Sequence, residues 1–182
     1  VSQKAFTRGK KSKLFWILGA FLFSALAACS PTDRQLASEG LNSRYTDEQP
    51  ALSGNGRFLA FVTNRNGGSQ IALYDLQLQR FIELPGINES DIVSESPSLS
   101  RTARFLVYLT SEQGKPQIAF YDRAVGRSEI LTKNYRSWVR NPQISPSGRY
   151  IVFESSRRGQ WDIEVLDRGT DIELDLLDGV PV

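Results

Sequence analysis

The chain has 182 residues, with 22 Lys and Arg against 20 Asp and Glu, no His, no Met and one Cys. That composition excludes a Ser-His-Asp triad and any His-ligated metal or haem site, and a lone Cys excludes an intrachain disulfide. The apolar share of 40% and the charged share of 23% are those of an ordinary globular chain, and the length suits one domain plus a leader.

The net charge of +2 averages two unlike pieces. Residues 1–28 hold Lys4, Arg8, Lys10, Lys11 and Lys13 and no acid, whereas the remainder holds 17 basic and 20 acidic residues. The body is therefore mildly acidic and carries no electrostatic footprint for nucleic acid. An apolar run from Leu14 to Ala28 follows the basic stretch. As a helix it reaches roughly 22 Å, short of the ~30 Å hydrocarbon core of a bilayer. A basic start, an apolar run of this length and a small-residue end predict a helical secretory signal over residues 1–28, the other reading being an uncleaved anchor. The run closes with Leu26, Ala27, Ala28 and Cys29, which resembles the lipobox of bacterial lipoproteins. That resemblance implies lipid attachment at Cys29, whose thiol is the nucleophile suited to a thioether. Ser30 rather than Asp after the Cys favours the outer membrane by the same resemblance. The start at Val1 in a Met-free chain is what a GUG codon read literally would give, with a complete leader.

Residues 29–49 are polar and read as a tether between lipid and domain. From Pro50 onward, three copies of one unit occupy residues 50–182, at about 50–84, 97–131 and 142–176. Pro50, Pro97 and Pro142 recur, as do Arg57, Arg104 and Arg149, Ile71, Ile118 and Ile163, Asp75, Asp122 and Asp167, and Leu84, Leu131 and Leu176. Each copy reads as four short strands. A stub and a tight turn come first, with Gly56 and Gly148 supplying positive φ. Ala103 stands at that position in the second copy, where the same angle costs on the order of 1 kcal/mol. The second strands, beginning at Phe58, Phe105 and Tyr150, are apolar runs expected to be buried on both faces. The third strand closes at the recurring Asp, and a polar fourth strand ends at the recurring Leu. Four antiparallel strands in about 45 residues make one propeller blade. The expected fold is therefore all-β: a partial propeller of three four-stranded blades behind a helical signal segment.

The run from Ser145 to Gly159 (SPSGRYIVFESSRRG) closely resembles the WD40-like PD40 repeat of the TolB family. The third copy fits best; the second departs at Arg101-Thr102-Ala103, where the family has P-D-G. The resemblance implies a six-bladed ring, so three blades should leave two open faces. A head-to-tail homodimer would close such a ring, another protein could complete the arc, or residues 30–49 could cap an end.

No phosphate loop, dinucleotide fingerprint or nucleophile elbow is present, and neither a cofactor nor a metal site is expected. Asp75, Asp122 and Asp167 could form a ring of cation ligands. Their recurrence in every copy favours instead a role in ending the third strand through turn hydrogen bonds. Arg57, Arg104 and Arg149 read likewise as turn or inter-blade residues. The acidic C-terminus, with Asp171, Glu173, Asp175 and Asp178, reads as a half-buried strand rather than a Ca²⁺ loop. Trp138 and Trp161 are candidate binding aromatics, but packing between blades is the favoured role for both. Two function classes remain. One is a non-catalytic, lipid-anchored scaffold in the bacterial envelope, at the outer membrane or its periplasmic face, with a partner of the Tol–Pal type implied by the resemblance. The other is a ligand- or carbohydrate-binding or hydrolytic propeller unit.

Overall fold

The computed structural model describes residues 40–41, 43–88, 92–112 and 114–176. The signal segment, Cys29 and most of the tether lie outside the described residues. The described part is all-β, in three antiparallel sheets that follow one another along the chain. The first blade holds β1 (Asp47–Leu52), β2 (Phe58–Thr63), β3 (Gln70–Asp75) and β4 (Arg80–Ile82). The second holds β5 (Val93–Leu99), β6 (Phe105–Glu112), β7 (Lys115–Asp122) and β8 (Arg127–Ile130). The third holds β9 (Val139–Ile144), β10 (Tyr150–Ser155) and β11 (Asp162–Asp167). Within each blade the strands pair in chain order, and β1, β5 and β9 contact one another in series, as strands beside a propeller axis do.

Among the described residues the third blade has three strands where four are expected. The predicted C-terminal strand does not form among them either: residues 173–176 leave the sheet and run to the second blade. There Asp175 is buried and accepts hydrogen bonds from Ser100 Oγ (2.5 Å), Thr102 N (2.7 Å) and Thr102 Oγ1 (2.6 Å). Its own N–H donates to the Ser147 carbonyl at 2.9 Å, and Glu173 pairs with Arg104 nearby. A carboxylate that satisfies three donors of a tight turn gains more than it would on a solvated sheet edge.

Two backbone features repeat. The turn after each first strand uses a positive φ at Gly56 (71°), Ala103 (56°) and Gly148 (82°), so Ala103 does adopt the strained angle. A Cβ on Gly148 would collide with the Phe105 ring, so at this position the close approach of two blades also requires glycine. The residue before each recurring proline, Gln49, Ser96 and Asn141, also has positive φ, at 52°, 50° and 51°. Each lies where the pairing of the first strand shifts register, a bulge inside each first strand just ahead of its proline.

Alternation along the strands assigns each blade a forward face, toward the next blade, and a backward face. Between the first two blades, Phe58, Ala60, Ile71 and Leu73 face forward onto Leu106, Tyr108, Ala119 and Tyr121. Between the second and third, Phe105, Val107, Ile118 and Phe120 face forward onto Ile151 and Phe153, with Leu166 and Tyr135 at the margin. The second strands β2 and β6 are thus buried on both sides, as their unbroken apolar runs predict. β10 instead alternates, with Ile151, Phe153 and Ser155 buried.

Candidate functional site

The recurring Arg and Asp meet each other inside each blade. Arg57 Nη2 lies 2.7 Å from Asp75, Arg104 Nη2 3.4 Å from Asp122, and Arg149 Nε 2.8 Å from Asp167. The same carboxylates accept turn N–H groups from Gln77 and Leu78, from Ala124 and from Gly169. Hydrogen bonds from Arg57, aided by the turn amides, hold Asp75 down at about 2 against its burial. Hydrogen bonds from Arg149, then the Gly169 amide, do the same for Asp167. A carboxylate committed to an arginine and a turn is neither a base nor a free cation ligand. Among the described residues no group of His, Cys, Asp and Glu is placed to hold a metal ion, and no helix is long and apolar enough to cross a membrane.

The same arginines lie over the aromatic residue that follows them. Arg57, Arg104 and Arg149 sit 5.0, 4.9 and 5.0 Å from the ring centroids of Phe58, Phe105 and Tyr150. A second guanidinium reaches Phe58 and Phe105 from the next blade. Arg123 lies 4.8 Å from the Phe58 centroid; Arg168 lies 4.9 Å from that of Phe105 and 3.9 Å from that of Phe120. Arg123 and Arg168 each directly follow the strand-closing Asp and are fixed by backbone carbonyls, Arg123 by Thr102 and Ala103 and Arg168 by Gly148. Burial pushes the pKa of both below the usual arginine range, and nearby carboxylates act against that shift. The sequence signal for this contact is faint, because the position reads Leu76, Arg123, Arg168 and so is not a strict repeat.

The two end faces of the described blades differ. On the backward face of the first blade, Phe61, Ala72 and Tyr74 are buried with Leu41, Leu59 and Phe81 packed against them. Arg65 covers the patch, its guanidinium 5.8 Å from the Phe61 centroid and 4.9 Å from that of Phe81, while it pairs with Asp47 at 2.7 Å. Burial raises the Asp47 pKa, but the hydrogen bonds from Arg65 and Thr63 outweigh it and bring the net shift downward. The sequence expectation of two open faces therefore holds for one only. The head-to-tail homodimer would need this covered face.

The forward face of the third blade is open. Ile163 is 70% exposed, Val165 65%, Trp138 60%, Trp161 44% and Tyr150 43%. Register places Glu154 opposite Arg140 on one side and Ile163 on the other, and Val152 opposite Val165. Arg140 stacks 3.9 Å from the Trp161 ring centroid and binds Glu154 at 2.6 Å, while Asn141 donates to the same carboxylate at 2.9 Å. Hydrogen bonds from Asn141, then Arg140, lower the Glu154 pKa. Ile163 and Val165 occupy the register of Ile71 and Leu73 and of Ile118 and Phe120, all of which are buried or form the inter-blade core. The two tryptophans that the sequence singled out thus stand on one exposed sheet face and do not pack between the described blades. Ile163 and Val165 were missed as site residues because in the repeat they read as core.

Hollows among the described residues elsewhere include one lined by Leu41, Asp47, Glu48, Pro50, Leu59 and Phe61 and one lined by Asn134, Tyr135, Arg136, Ser137 and Arg157. The first has its Asp47 engaged by Arg65 and Thr63. The second has no carboxylate in its lining, and neither arranges a base against a nucleophile.

No protein-family model matches the chain, and no curated protein matches it. Solved structures do match in fold. TolB from Acinetobacter baumannii superposes with a TM-score of 0.59 at 22% identity, over 70% of this chain and 31% of that one. A protein assigned as TolB from Agrobacterium tumefaciens gives 0.55 at 24% identity, over 66% of this chain and 43% of that one. A puromycin hydrolase mutant complexed with PGG gives 0.51 at 12% identity, over 68% and 19%. The chain has the β-propeller fold, and it spans less than half the length of these structures.

Proposed function

We propose that this chain is a non-catalytic protein-binding scaffold of TolB-like propeller type, held at the bacterial cell envelope by lipid on Cys29. The observation that carries the binding role is the open forward face of the third blade, with Trp138, Trp161, Ile163 and Val165 in water. Contiguous aromatic and aliphatic surface of this kind is the signature of a protein contact, and Trp is enriched where such contacts are strongest. The lack of His and the commitment of the recurring carboxylates to arginine argue against an acid–base site. The lipobox Leu26-Ala27-Ala28 before Cys29 supports the anchor, and the TolB resemblance supports an envelope partner of the Tol–Pal type. Confinement to a membrane surface would raise the effective concentration of such a partner. The hydrolytic reading rests on propeller neighbours that are enzymes, but nothing in the two hollows favours it.

Cross-linking in intact cells followed by mass spectrometry tests the scaffold. The expected result is a protein neighbour joined through the third blade. Recovery of no neighbour, together with hydrolysis of a peptide or glycan by the purified chain, would overturn it. For the anchor, the envelope form should lack residues 1–28 and carry acyl mass. A Cys29→Ser protein that still fractionates with the membrane, at a mass unchanged from that of the unaltered envelope form, would rule lipidation out.

A further inference from the structure

The arginine that follows the strand-closing aspartate is the recurring element at both blade junctions seen here. At each junction the preceding blade presents an aromatic residue, Phe58 or Phe105, with its own arginine on it. The next blade then sets a second guanidinium on that ring, from Arg123 or Arg168. Around it, the backward residues of the next blade cover a forward row of aliphatic and aromatic side chains. The third blade presents the same forward set: Tyr150 under Arg149, then Val152, Ile163 and Val165. Among the described residues Tyr150 has Arg149 alone over its ring, and it remains 43% exposed.

Resting on the scaffold reading above, the geometry points to a specific partner. We propose that the forward face of the third blade seats a propeller blade of the same repeat type, presented by another protein, whose arginine after the strand-closing aspartate covers Tyr150. The backward face of that blade supplies apolar side chains for Val152, Ile163 and Val165. It must also meet the Arg140–Glu154 pair with a polar group, because this position is apolar in the other two blades, Val62 and Leu109. An apolar lid there would desolvate an ion pair without compensation. A second copy of this chain fits poorly. Its first blade carries Leu76 where the arginine is needed, and its backward face is covered by Leu41, Phe81 and Arg65.

The test places the photo-cross-linker p-benzoylphenylalanine at position 163 of the full chain in intact cells, with position 125 as the exposed control on another loop. The expected adduct maps, by peptide sequencing, to a strand of a propeller blade in another protein that has Asp-Arg at the end of its third strand. A Tyr150→Ala change should lower the adduct yield about tenfold, through loss of the desolvated cation–π contact, and Tyr150→Phe should keep it. An adduct with a second copy, or with a protein lacking such a blade, overturns this partner while leaving a protein-binding face. No adduct at position 163 overturns both. Equal adduct yields from Tyr150→Ala and the unaltered chain would remove the arginine from the recognition.

Discussion

The first and third blades share a repeat and turn opposite fates on their outer faces. In the first, Phe61 and Tyr74 would meet water, but Leu41 and the arms of Arg65 and Phe81 cover them. In the third, Ile163 and Val165 do meet water. An amphipathic sheet does not by itself dictate which of its faces is covered. Leu41, ahead of the first strand, joins Arg65 and Phe81 of the blade itself to close one end. The described residues after the third blade's last strand run elsewhere, tying Asp175 to the turn of the second blade.

That contrast can be broken most sharply by truncation. Phe61→Ala, in the covered face, should cost about 3 kcal/mol of unfolding free energy in urea, the usual range for emptying a buried aromatic site. If it costs less than ~1 kcal/mol, the first blade is open in solution and the two ends are alike. Asp175→Ala should cost about 2 kcal/mol, since it strands a backbone N–H and two hydroxyls of a buried turn. Glu173→Ala, on a side chain that is 75% exposed, should stay within ~0.5 kcal/mol. Equal losses would mean that the C-terminal segment is held by charge rather than by the buried turn.

Leu41→Ala should cost about 1 kcal/mol. It should also make the chain self-associate in light scattering, because it uncovers the first blade. Ile163→Ser combined with Val165→Thr should change stability by less than ~0.5 kcal/mol, as exposed sites do, while reducing partner capture. A large loss of stability there would show that the forward face is covered in the isolated chain.

The smallest effect appears only in acid. Asp75 and Asp167 are held near 2, below their values in an unfolded chain. Their contribution is therefore complete above about pH 4 and is lost as pH falls toward about 2. Stability should be flat from neutrality down to about pH 4 and decline below it. At 1 M salt the Arg149–Asp167 pair, 43% exposed at the carboxylate, should weaken more than Arg57–Asp75, whose carboxylate is 1% exposed.

The repeat itself was legible in the residues. The recurring Pro, Arg, Ile and Asp located the blades, the apolar runs located β2 and β6, and the turn spacing anticipated positive φ at Ala103. These features are local, and a period in sequence is a period in backbone geometry. The constant separation of Arg and Asp held the ion pair in plain view, but only the sheet shows that the turn residue before each second strand lies beside the Asp that ends the third. The C-terminal alternation of Ile172, Leu174 and Leu176 with acids predicts a strand equally well whether or not a sheet edge receives it. Tertiary structure sent Asp175 75 residues back to Ser100 instead, because three donors of one turn there outweigh the edge of a sheet. It also chose which end face to cover. That choice depends on Leu41 meeting Phe61 and Phe81, and contacts between residues far apart in the chain leave no periodic trace in it.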